Sequence, residues 1–585
     1  MRITYNDKLN KLLNPYLESL LKEKSSLEPE TLTLFDLFME DLDMGGRYGI
    51  FSEILEPRLE EIIREENIES IANLMDGRLN TLFRYMLGDE FAGLFHTYLQ
   101  LEARCPHTIG YDRRAQRSAH PSNHLDHARD AWLQFLKLRA TGFSVEAILK
   151  GGNTPEDTEE FSGYMNSSYW LAAQIAQGNE KVIEYLNQVL TSENNVHRLQ
   201  RWYLHAIAIS GHRPLLELEG KLLLAAKLQE GLRQAIVETM DEGCPESYLY
   251  LFSIIYNNGL QRFASVKRSI AVCTGIGEQD SSERITNKYV ELIWNFLNHP
   301  ETARNTLQSK DTVELYLALW SIGFYDTDEI RAIVPDIIRK GAKHQIQTLL
   351  YFLRCTQSSQ MNHLISKDAF EVWHDDPKVV AAILPLYMDG LYLSRYSDNK
   401  EAPTLSDYFE TPEEAVRHYG YLKQVYQSIS AKEVYSPYVF PWDCVVLTRS
   451  DVVLKMAYIA WMTNDIRLRE ELCTYLPALE SYNRASYIGI VLPRTESKVE
   501  QEYVLQSLGD RSADIRDEAY KVLSEMSLSP EQYQHIEELL RFKYSEMRIN
   551  AINLLMKQPE AQLAASIRRL LSDKNAERRL AGLDM

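Results

Sequence analysis

The chain has 585 residues, of which 45% are hydrophobic and 25% are charged, and its formal net charge is -20 at pH 7. This composition is typical of globular proteins that bury a large core. The acidic excess disfavours generic binding to nucleic acids and anionic membranes, because their phosphates repel negative charge. Glycine (26 residues) and proline (20 residues) are scarce, which predicts long helices joined by few loops.

Six cysteines are scattered along the chain without a Cys-x-x-Cys pair, which predicts reduced thiols rather than a disulfide framework. Charged residues interrupt the apolar residues of segment 1–24, so no signal peptide is predicted. No apolar run approaches the ~18 residues that a membrane span needs. We therefore expect a soluble cytoplasmic protein without a membrane partner.

The first predicted region is helical, extends to about residue 150 and contains a histidine-rich segment. Five histidines and one cysteine fall close together there: His96, Cys105, His107, His120, His124 and His127. Imidazole and thiolate are usual zinc ligands, so a metal site is chemically possible. However, the spacing matches no standard zinc pattern, and neighbouring arginines would repel a cation. The alternative interpretation is a polar loop leading into a helix, and we predict neither a bound metal nor a cofactor.

Helical periodicity continues through the middle of the chain. Apolar residues at helical spacing predict a helix over 313–323 that ends at Gly323. The next helix is expected to begin at Asp326, and Pro335 should kink or divide it. Helix-length units between about 199 and 275 are separated by short breaks at Gly211, Gly243 and Gly259.

Two polar segments with prolines, 150–160 and 395–412, indicate boundaries between regions. They divide the chain into an N-terminal helical region (1–150), a degenerate helical-repeat array (151–400) and a C-terminal array (401–585). Clear alternating strands are absent from the sequence. The best short candidate, 486–493, fits the end of a buried helix equally well.

A third break, 435–444, combines prolines with four aromatic residues: Tyr435, Tyr438, Phe440 and Trp442. Aromatic side chains dominate the hot spots of protein interfaces, but they also fill irregular gaps between helices. The sequence allows both interpretations. In one the aromatic loop is packed between helical units, and in the other it is an exposed recognition patch.

The C-terminal segment 504–585 repeats itself with offsets of 32 and then 31 residues. The matching positions are Val504, Ile536 and Ile567; Leu508, Leu540 and Leu571; Arg516, Arg548 and Arg579; Tyr520, Ile552 and Leu583. Each copy holds two amphipathic helices, and a short fixed period of this kind predicts a stacked helical solenoid. The third copy stops within its second helix, so we expect the last repeat to be incomplete.

The second helix of each copy combines an apolar residue, an arginine and a small residue, as in Ile515, Arg516 and Ala519. This arrangement resembles the short variety of the HEAT repeat family. The resemblance implies an all-α fold, a HEAT-like alpha-alpha superhelix (solenoid) with an irregular N-terminal part. Arg578 departs from the pattern, because it stands where Ile515 and Met547 stand in the earlier copies.

The recurring arginines Arg516, Arg548 and Arg579 also allow two interpretations. They form a structural ladder if each guanidinium pairs with an acidic side chain or a carbonyl of a neighbouring repeat. They line an anion-binding groove if they act together with the basic residues nearby, which are Arg568, Arg569, Lys574 and Arg578. The overall acidity argues against the groove.

The chain as a whole also looks like the N-terminal helical region of large uncharacterised bacterial proteins. Those proteins carry a C-terminal domain related to a proposed regulator of molybdate metabolism. The resemblance implies a further C-terminal domain and no established reaction.

These observations predict a non-catalytic helical-repeat scaffold that binds a protein partner or docks onto its own C-terminal domain. The predicted contact residues are those of the aromatic loop and of the arginine row, which consists of Arg516, Arg548 and Arg579. A HEAT-like module that binds or processes nucleic acid is the first alternative, although the acidity makes nucleic acid an unfavourable partner. A metal-responsive regulator that uses the cluster between His96 and His127 is the second.

Overall fold

A computed structural model defines the fold. It describes residues 7–45, 55–68, 71–105, 132, 135–136, 139, 164–192, 199–225, 230–276, 281–325, 327–356, 359–396, 401–430, 433–437, 439–440, 444–493, 495–542 and 545–585. The described residues form an all-α protein with one small β-hairpin. Within these residues, no helix combines the length and the apolar composition that crossing a membrane requires.

The chain divides into two compact units. Unit 1 comprises Met1–Ile333 and Cys355–Ser358, and unit 2 comprises Val334–Arg354 and Ser359–Met585. The predicted three-region division (1–150, 151–400, 401–585) is a different partition, and it stays a prediction.

The α-helices that begin in unit 1 are α1 (Asp7–Glu23), α2 (Pro29–Gly45), α3 (Leu55–Glu65), α4 (Arg78–Leu87), α5 (Asp89–Arg104), α6 (Tyr164–Ala176), α7 (Glu180–Thr191), α8 (Arg201–Ser210), α9 (Arg213–Leu223), α10 (Glu230–Asp241), α11 (Pro245–Asn258), α12 (Ala264–Thr274), α13 (Ser281–Arg284), α14 (Asn287–Asn298), α15 (Pro300–Thr306), α16 (Thr312–Tyr325) and α17 (Thr327–Lys340). Short 3-10 helices occupy Lys24–Ser26, Ile71–Met75 and Leu260–Arg262.

Aromatic rings from helices α2, α4 and α5 pack together in the core of unit 1. The ring of Phe83 on α4 lies 5.9 Å from that of Phe38 on α2 and 5.0 Å from that of Phe95 on α5. The buried Trp132 packs edge-on against Phe38 at 5.0 Å. Edge-to-face contacts of this kind stabilise a core beyond the area that they bury.

Glycines end helices where the sequence predicted breaks. Gly211 directly follows α8, and Gly259 directly follows α11. Their backbone angles are left-handed (φ 67° and 59°), a conformation that residues with a side chain rarely adopt. Gly243 lies between α10 and α11, where an added Cβ would approach the Ala208 carbonyl oxygen to 2.6 Å. The three predicted breaks are confirmed.

Two predictions in the middle of the chain are wrong: the end of a helix at Gly323 and the division of the next helix at Pro335; a kink at Pro335 stays a prediction. Helix α16 continues past Gly323 to Tyr325, because the ring of Phe324 packs against Tyr248 at 5.5 Å and extends the buried face. Helix α17 contains Pro335 in its interior without being divided. Asp326, the predicted start of α17, lies outside the described residues, and the helix is described from Thr327.

Unit 2 continues with α18 (Lys343–Thr356), α19 (Ser359–Trp373), α20 (Pro377–Ile383), α21 (Pro412–Ser428), β1 (Val434–Pro437), β2 (Cys444–Leu447), α22 (Arg449–Thr463), α23 (Ile466–Leu472), α24 (Ser481–Val491), α25 (Lys498–Ser507), α26 (Ala513–Ser524), α27 (Pro530–Leu539), α28 (Ser545–Leu555), α29 (Glu560–Leu571) and α30 (Ala576–Asp584). Its 3-10 helices occupy Leu405–Asp407 and Leu476–Ala478.

A β-hairpin forms where the sequence predicted an irregular loop. Strands β1 and β2 are antiparallel, with Val434 opposite Leu447, and both pack on α20. Val445 and Leu447 are buried while Val446 is 38% exposed, which is the alternation of a strand with one face on the core. The segment 486–493, which allowed a strand or the end of a buried helix, forms the end of helix α24 up to Val491, so the helix alternative is confirmed.

Helices α25 to α30 form three consecutive pairs, and α23 and α24 before them pack on α25 and α26. Helix α26 packs on both α24 and α28, while α27 packs on both α25 and α29. The pairs that contain α25–α26, α27–α28 and α29–α30 correspond to the three sequence repeats. Neighbouring repeats are therefore in direct contact.

Candidate functional site

The recurring arginines occupy the same position in each repeat, four residues into the second helix. The guanidinium of Arg516 donates from Nη1 to the carbonyl oxygens of Asp510 (2.9 Å) and Arg511 (3.0 Å). Arg579 makes the equivalent bonds to the carbonyl oxygens of Asp573 (2.9 Å) and Lys574 (2.8 Å). In both repeats the arginine therefore fixes the turn that precedes its own helix.

Arg516 and Arg548 also contact the following repeat. Nη2 of Arg516 lies 3.8 Å from a carboxylate oxygen of Glu546. Arg548 lies 3.3 Å from Glu577 and 2.6 Å from Asp584. The side chains of Arg516 and Arg548 are only 12% and 15% exposed. Carboxylate oxygens of the following repeat thus already face the charges of Arg516 and Arg548, whereas Arg579 is exposed and, among the described residues, bonds only the carbonyl oxygens of its own turn.

Part of the predicted aromatic loop belongs to the hairpin. Phe440 is fully buried, and its ring meets that of Tyr351 edge-on at 5.9 Å. Phe440 is therefore packed, while the choice between a packed loop and an exposed patch stays open for the other three aromatic residues. Tyr435 lies in β1, and Tyr438 and Trp442 lie outside the described residues.

The histidine-rich segment falls largely outside the described residues, which include neither His107 nor His120, His124 and His127. His96 lies on α5, where its Nε2 is 3.3 Å from the amide nitrogen of Gln100. Cys105 directly follows α5 and is buried. The metal-site hypothesis for this segment stays a prediction.

A cluster that sequence reasoning missed lies between α19 and α21. Glu371 on α19 meets Glu414 and His418 on α21, and one donor atom from each lies within 4.8 Å of the others. Glu414 and His418 are four residues apart, so they share one face of their helix. We call these three residues the acid–histidine cluster.

His418 is the buried centre of a hydrogen-bond chain. Its Nε2 lies 2.9 Å from Oε1 of Glu371, and its Nδ1 lies 2.8 Å from the hydroxyl of Tyr387. A neutral ring satisfies both contacts when Nε2–H donates to the carboxylate and Nδ1 accepts from the phenol. Burial lowers the pKa of His418 despite the nearby Glu371, which keeps the ring neutral. Burial also raises the pKa of Tyr387 well above its usual value.

Two cations already neutralise the carboxylates of the acid–histidine cluster. Arg417 donates from Nη2 (2.6 Å) and Nε (3.1 Å) to Oε1 of Glu371. Lys367 lies 3.0 Å from a carboxylate oxygen of Glu414. Burial acts to raise the pKa of Glu371, but the bond from Arg417 and the nearby His418 hold it below its usual value. A divalent metal would have to displace both cations, so the arrangement favours a closed ionic network that joins two helices.

A second histidine on α19, His363, holds two irregular segments in place. Its Nδ1 accepts a hydrogen bond from the backbone N–H of Met388, and its Nε2 donates to the carbonyl of Tyr408, both at 2.9 Å. Met388 has a left-handed backbone (φ 52°), which is unusual for a residue other than glycine. Burial lowers the pKa of His363 to about 4. The neutral imidazole therefore fixes the path of the chain after α20.

That path presents tyrosines to solvent. Tyr392 and Tyr396 are 68% and 73% exposed, and the hydroxyl of Tyr392 lies 3.3 Å from that of Tyr482 on α24. We call Tyr392, Tyr396 and Tyr482 the tyrosine surface. Its segment is anchored at both ends, because Tyr458 donates to the carbonyl of Leu391 (2.9 Å) and Arg395 binds Asp514 (2.6 Å).

Comparison with known proteins gives a family but no activity. A model of the DUF5724 family, described as a family of unknown function, matches residues 34–585. The chain belongs to this family. No curated protein and no solved structure matches the chain.

Proposed function

We propose that the chain is a non-catalytic, HEAT-like helical-repeat scaffold that binds a protein partner through the tyrosine surface. Three consecutive helix pairs in direct contact support the solenoid part of this proposal. In a solenoid, each repeat is stabilised by its neighbours, and its extended surface is available to partners. The proposal that a partner binds here depends on the tyrosine surface, whose side chains are exposed and whose segment is anchored.

Tyrosine suits an interface for two physical reasons. Its large ring buries much area at a low cost in side-chain entropy, and its hydroxyl forms hydrogen bonds at the rim. At the tyrosine surface the ring of Tyr396 lies 6.5 Å from that of Tyr482. Because Arg395 also donates to the hydroxyl of Tyr396 (2.8 Å), the patch is ordered before a partner arrives. Pre-ordering of this kind raises affinity.

The main alternative, a nucleic-acid-binding module, requires guanidinium groups that face solvent. Arg516 and Arg548 are instead largely buried against carbonyl and carboxylate oxygens. The net charge of -20 adds a general repulsion toward phosphate. Both observations favour a protein partner over DNA or RNA.

The test is a quantitative affinity enrichment from native cell extract with the full chain as bait. Three baits are compared: wild type, Tyr392→Ser/Tyr396→Ser and the control Tyr256→Ser, which removes an exposed tyrosine from unit 1. We expect partners that wild type and the control retain equally and that the double variant loses by at least about tenfold, because interface tyrosines are frequent hot spots. Equal enrichment by all three baits would refute binding through the tyrosine surface.

A parallel measurement distinguishes the alternative. Fluorescence anisotropy with labelled duplex DNA and single-stranded RNA should show no saturable binding at physiological salt. Saturable binding that Arg569→Ala weakens would instead support the anion-binding groove, since each phosphate contact adds to affinity and to its salt dependence.

A further inference from the structure

Two phenol groups of the tyrosine surface lie in contact with each other and with solvent. The hydroxyl of Tyr482 is 3.3 Å from that of Tyr392 and 3.0 Å from Oγ of Ser394. Tyr392 is 68% exposed, and Tyr482 is half-buried. A reagent in solution can therefore reach both rings while their oxygen atoms are adjacent.

The backbone that carries each phenol is fixed. Leu393, the residue after Tyr392, is only 1% exposed. Tyr482 is the second residue of α24, and the N–H of Glu480 before that helix donates to Oγ of Ser450 (3.0 Å). The ring carbons ortho to the two hydroxyls need only a side-chain rotation to meet, and exposed side chains rotate within picoseconds to nanoseconds.

We propose that Tyr392 and Tyr482 form an oxidative cross-link site, at which a peroxidase-type one-electron oxidant couples the two rings into dityrosine. Each phenol loses one electron and one proton and becomes a phenoxyl radical. The two radicals pair their electrons in a new bond between the ortho carbons, and each ortho hydrogen is replaced by a proton on the phenol oxygen. One hydrogen peroxide accepts the two electrons and two protons and leaves as two molecules of water, so atoms and electrons balance.

Charge favours this pair of rings over the third tyrosine of the surface. The ring of Tyr396 lies 6.5 Å from that of Tyr482, but the guanidinium of Arg395 lies 4.9 Å from the centre of the Tyr396 ring. A cation over an aromatic ring is attracted to its electrons and opposes their removal. In contrast, hydrogen bonds with Ser394 and Tyr392 lower the pKa of Tyr482, which favours the proton loss that accompanies its oxidation.

Other close tyrosine pairs in the described part of the chain are less suited to coupling. The rings of Tyr98 and Tyr169 are 5.3 Å apart, but both are buried. Those of Tyr426 and Tyr475 are 4.9 Å apart and half-buried, and the guanidinium of Arg449 lies 4.9 Å from the Tyr426 ring. The Tyr426–Tyr475 pair is therefore a matched control, with close rings but a cation over one of them.

The consequence for partner binding rests on the proposed function. Dityrosine joins the segment after α20 to α24 and uses two of the rings that the tyrosine surface offers to a partner. Oxidation then blocks this surface, because the coupled rings can no longer adjust to the partner or pack against it separately.

The test oxidises the full chain at low micromolar concentration with a haem peroxidase and hydrogen peroxide. Dityrosine fluorescence measures the rate, and tryptic mapping by mass spectrometry identifies the coupled peptides. We expect an intramolecular product that has lost two hydrogens and joins the peptide of Tyr392 to that of Tyr482. Cleavage after Arg395 separates Tyr392 from Tyr396, so the mapping distinguishes these two rings.

Conservative variants decide whether the adjacent phenols are the site. Tyr392→Phe and Tyr482→Phe should each lower the initial rate by at least about tenfold, because each removes one partner of a pre-positioned pair. Tyr426→Phe should leave the rate unchanged. An unchanged rate for Tyr482→Phe, or products mainly between two chains, would overturn the site.

Affinity enrichment with the cross-linked chain as bait then tests the consequence. We expect the cross-linked bait to lose the partners that the untreated chain and a bait treated with peroxide alone retain. Retention by the cross-linked bait would overturn the effect on binding. Tyrosine-dependent partners without any cross-link would overturn the site and leave the proposed function standing, whereas a cross-link without such partners would do the reverse.

Discussion

Arg484 on α24 and Asp510 before α26 form an ion pair between α24 and the first of the three repeats, with 3.0 Å between Nη2 and Oδ2. Arg516 reaches Glu546 in the same way one repeat later, and Arg548 reaches Glu577. Each arginine is the fourth residue of its helix. The ladder thus includes one more arginine than the three sequence repeats contain.

The arginine ladder predicts that removing an arginine lowers stability more than removing its acidic partner does. We expect Arg516→Ala to lower the free energy of unfolding by about 1–3 kcal/mol, because a side chain that is only 12% exposed loses two hydrogen bonds to backbone carbonyl oxygens. Glu546→Ala should cost less than about 0.5 kcal/mol, because that carboxylate is 70% exposed. Urea unfolding measures both, with the exposed Arg511→Ala as control. If Arg516→Ala and Glu546→Ala lower the free energy of unfolding equally, then the ion pair, rather than the hydrogen bonds to the turn, provides the stability.

The fourth arginine could have been found in the sequence. Leu472, Leu476, Arg484 and Ile488 precede Val504, Leu508, Arg516 and Tyr520 by the same 32 residues. The copy was missed because the large Tyr487 replaces the small Ala519 that helped to define the pattern. Tyr487 is nonetheless fully buried, so the packing of this pair has adapted to a larger side chain.

His363 predicts acid sensitivity. Its pKa is about 4 when folded, against an unfolded value of ~6.5. The unfolded chain therefore binds more protons between these values, so the stability that neutral His363 contributes is complete above pH 6.5 and is lost as the pH falls toward 4. The loss should approach about 3 kcal/mol. Urea midpoints between pH 7.5 and 4.5 measure it.

The matched variants separate this effect from general acid denaturation. His363→Asn should be less stable at pH 7.5 and should show a shallower dependence on pH than wild type. His299→Asn, at an exposed histidine, should follow the wild-type curve. Parallel curves for wild type and His363→Asn would show that another group causes the sensitivity.

Removing the shared acceptor of the acid–histidine cluster should lower the stability of the fold strongly. Glu371→Ala leaves Arg417, His418 and Tyr421 without their shared acceptor, so we expect a loss of about 2–4 kcal/mol. Tyr387→Phe removes one neutral hydrogen bond to His418 and should cost about 1 kcal/mol. Thermal unfolding with and without added Co²⁺ checks both. A stoichiometric Co²⁺ absorption band in wild type that Glu371→Ala abolishes would indicate a metal site instead.

Sequence alone could not locate this cluster, although the helices that carry it were evident. Glu371 and His418 are 47 residues apart, and the chain between them turns through the left-handed Met388 and Gly390. No short-range pattern encodes such a path. The hairpin was missed for a related reason, since its four-residue strands are too short to establish an alternation.

Glu219 on α9 is a buried carboxyl that we expect to destabilise the fold as the pH rises toward neutrality. It is fully buried, and neither of its oxygens has a hydrogen-bond partner among the described residues. Burial therefore raises its pKa well above the usual value. Because the pKa of Glu219 is higher in the folded chain than in the unfolded chain, the stability that its protonated carboxyl contributes is fully present below the unfolded value of ~4.5. This stability is lost as the pH rises. We expect Glu219→Gln to raise the melting temperature at pH 8 and to lose this advantage near pH 4.

The control for Glu219 lies on the same helix. Glu217 is exposed and pairs with Arg213 four residues earlier, at 2.9 Å, so Glu217→Gln should change stability by less than about 0.5 kcal/mol at any pH. If Glu219→Gln proves destabilising at pH 8, the carboxylate must have a partner there, such as a bound water or cation. In that case the same substitution should be least harmful at low pH, where the carboxyl is neutral in both states. The sign of the pH trend therefore distinguishes an unpaired acid from a paired one.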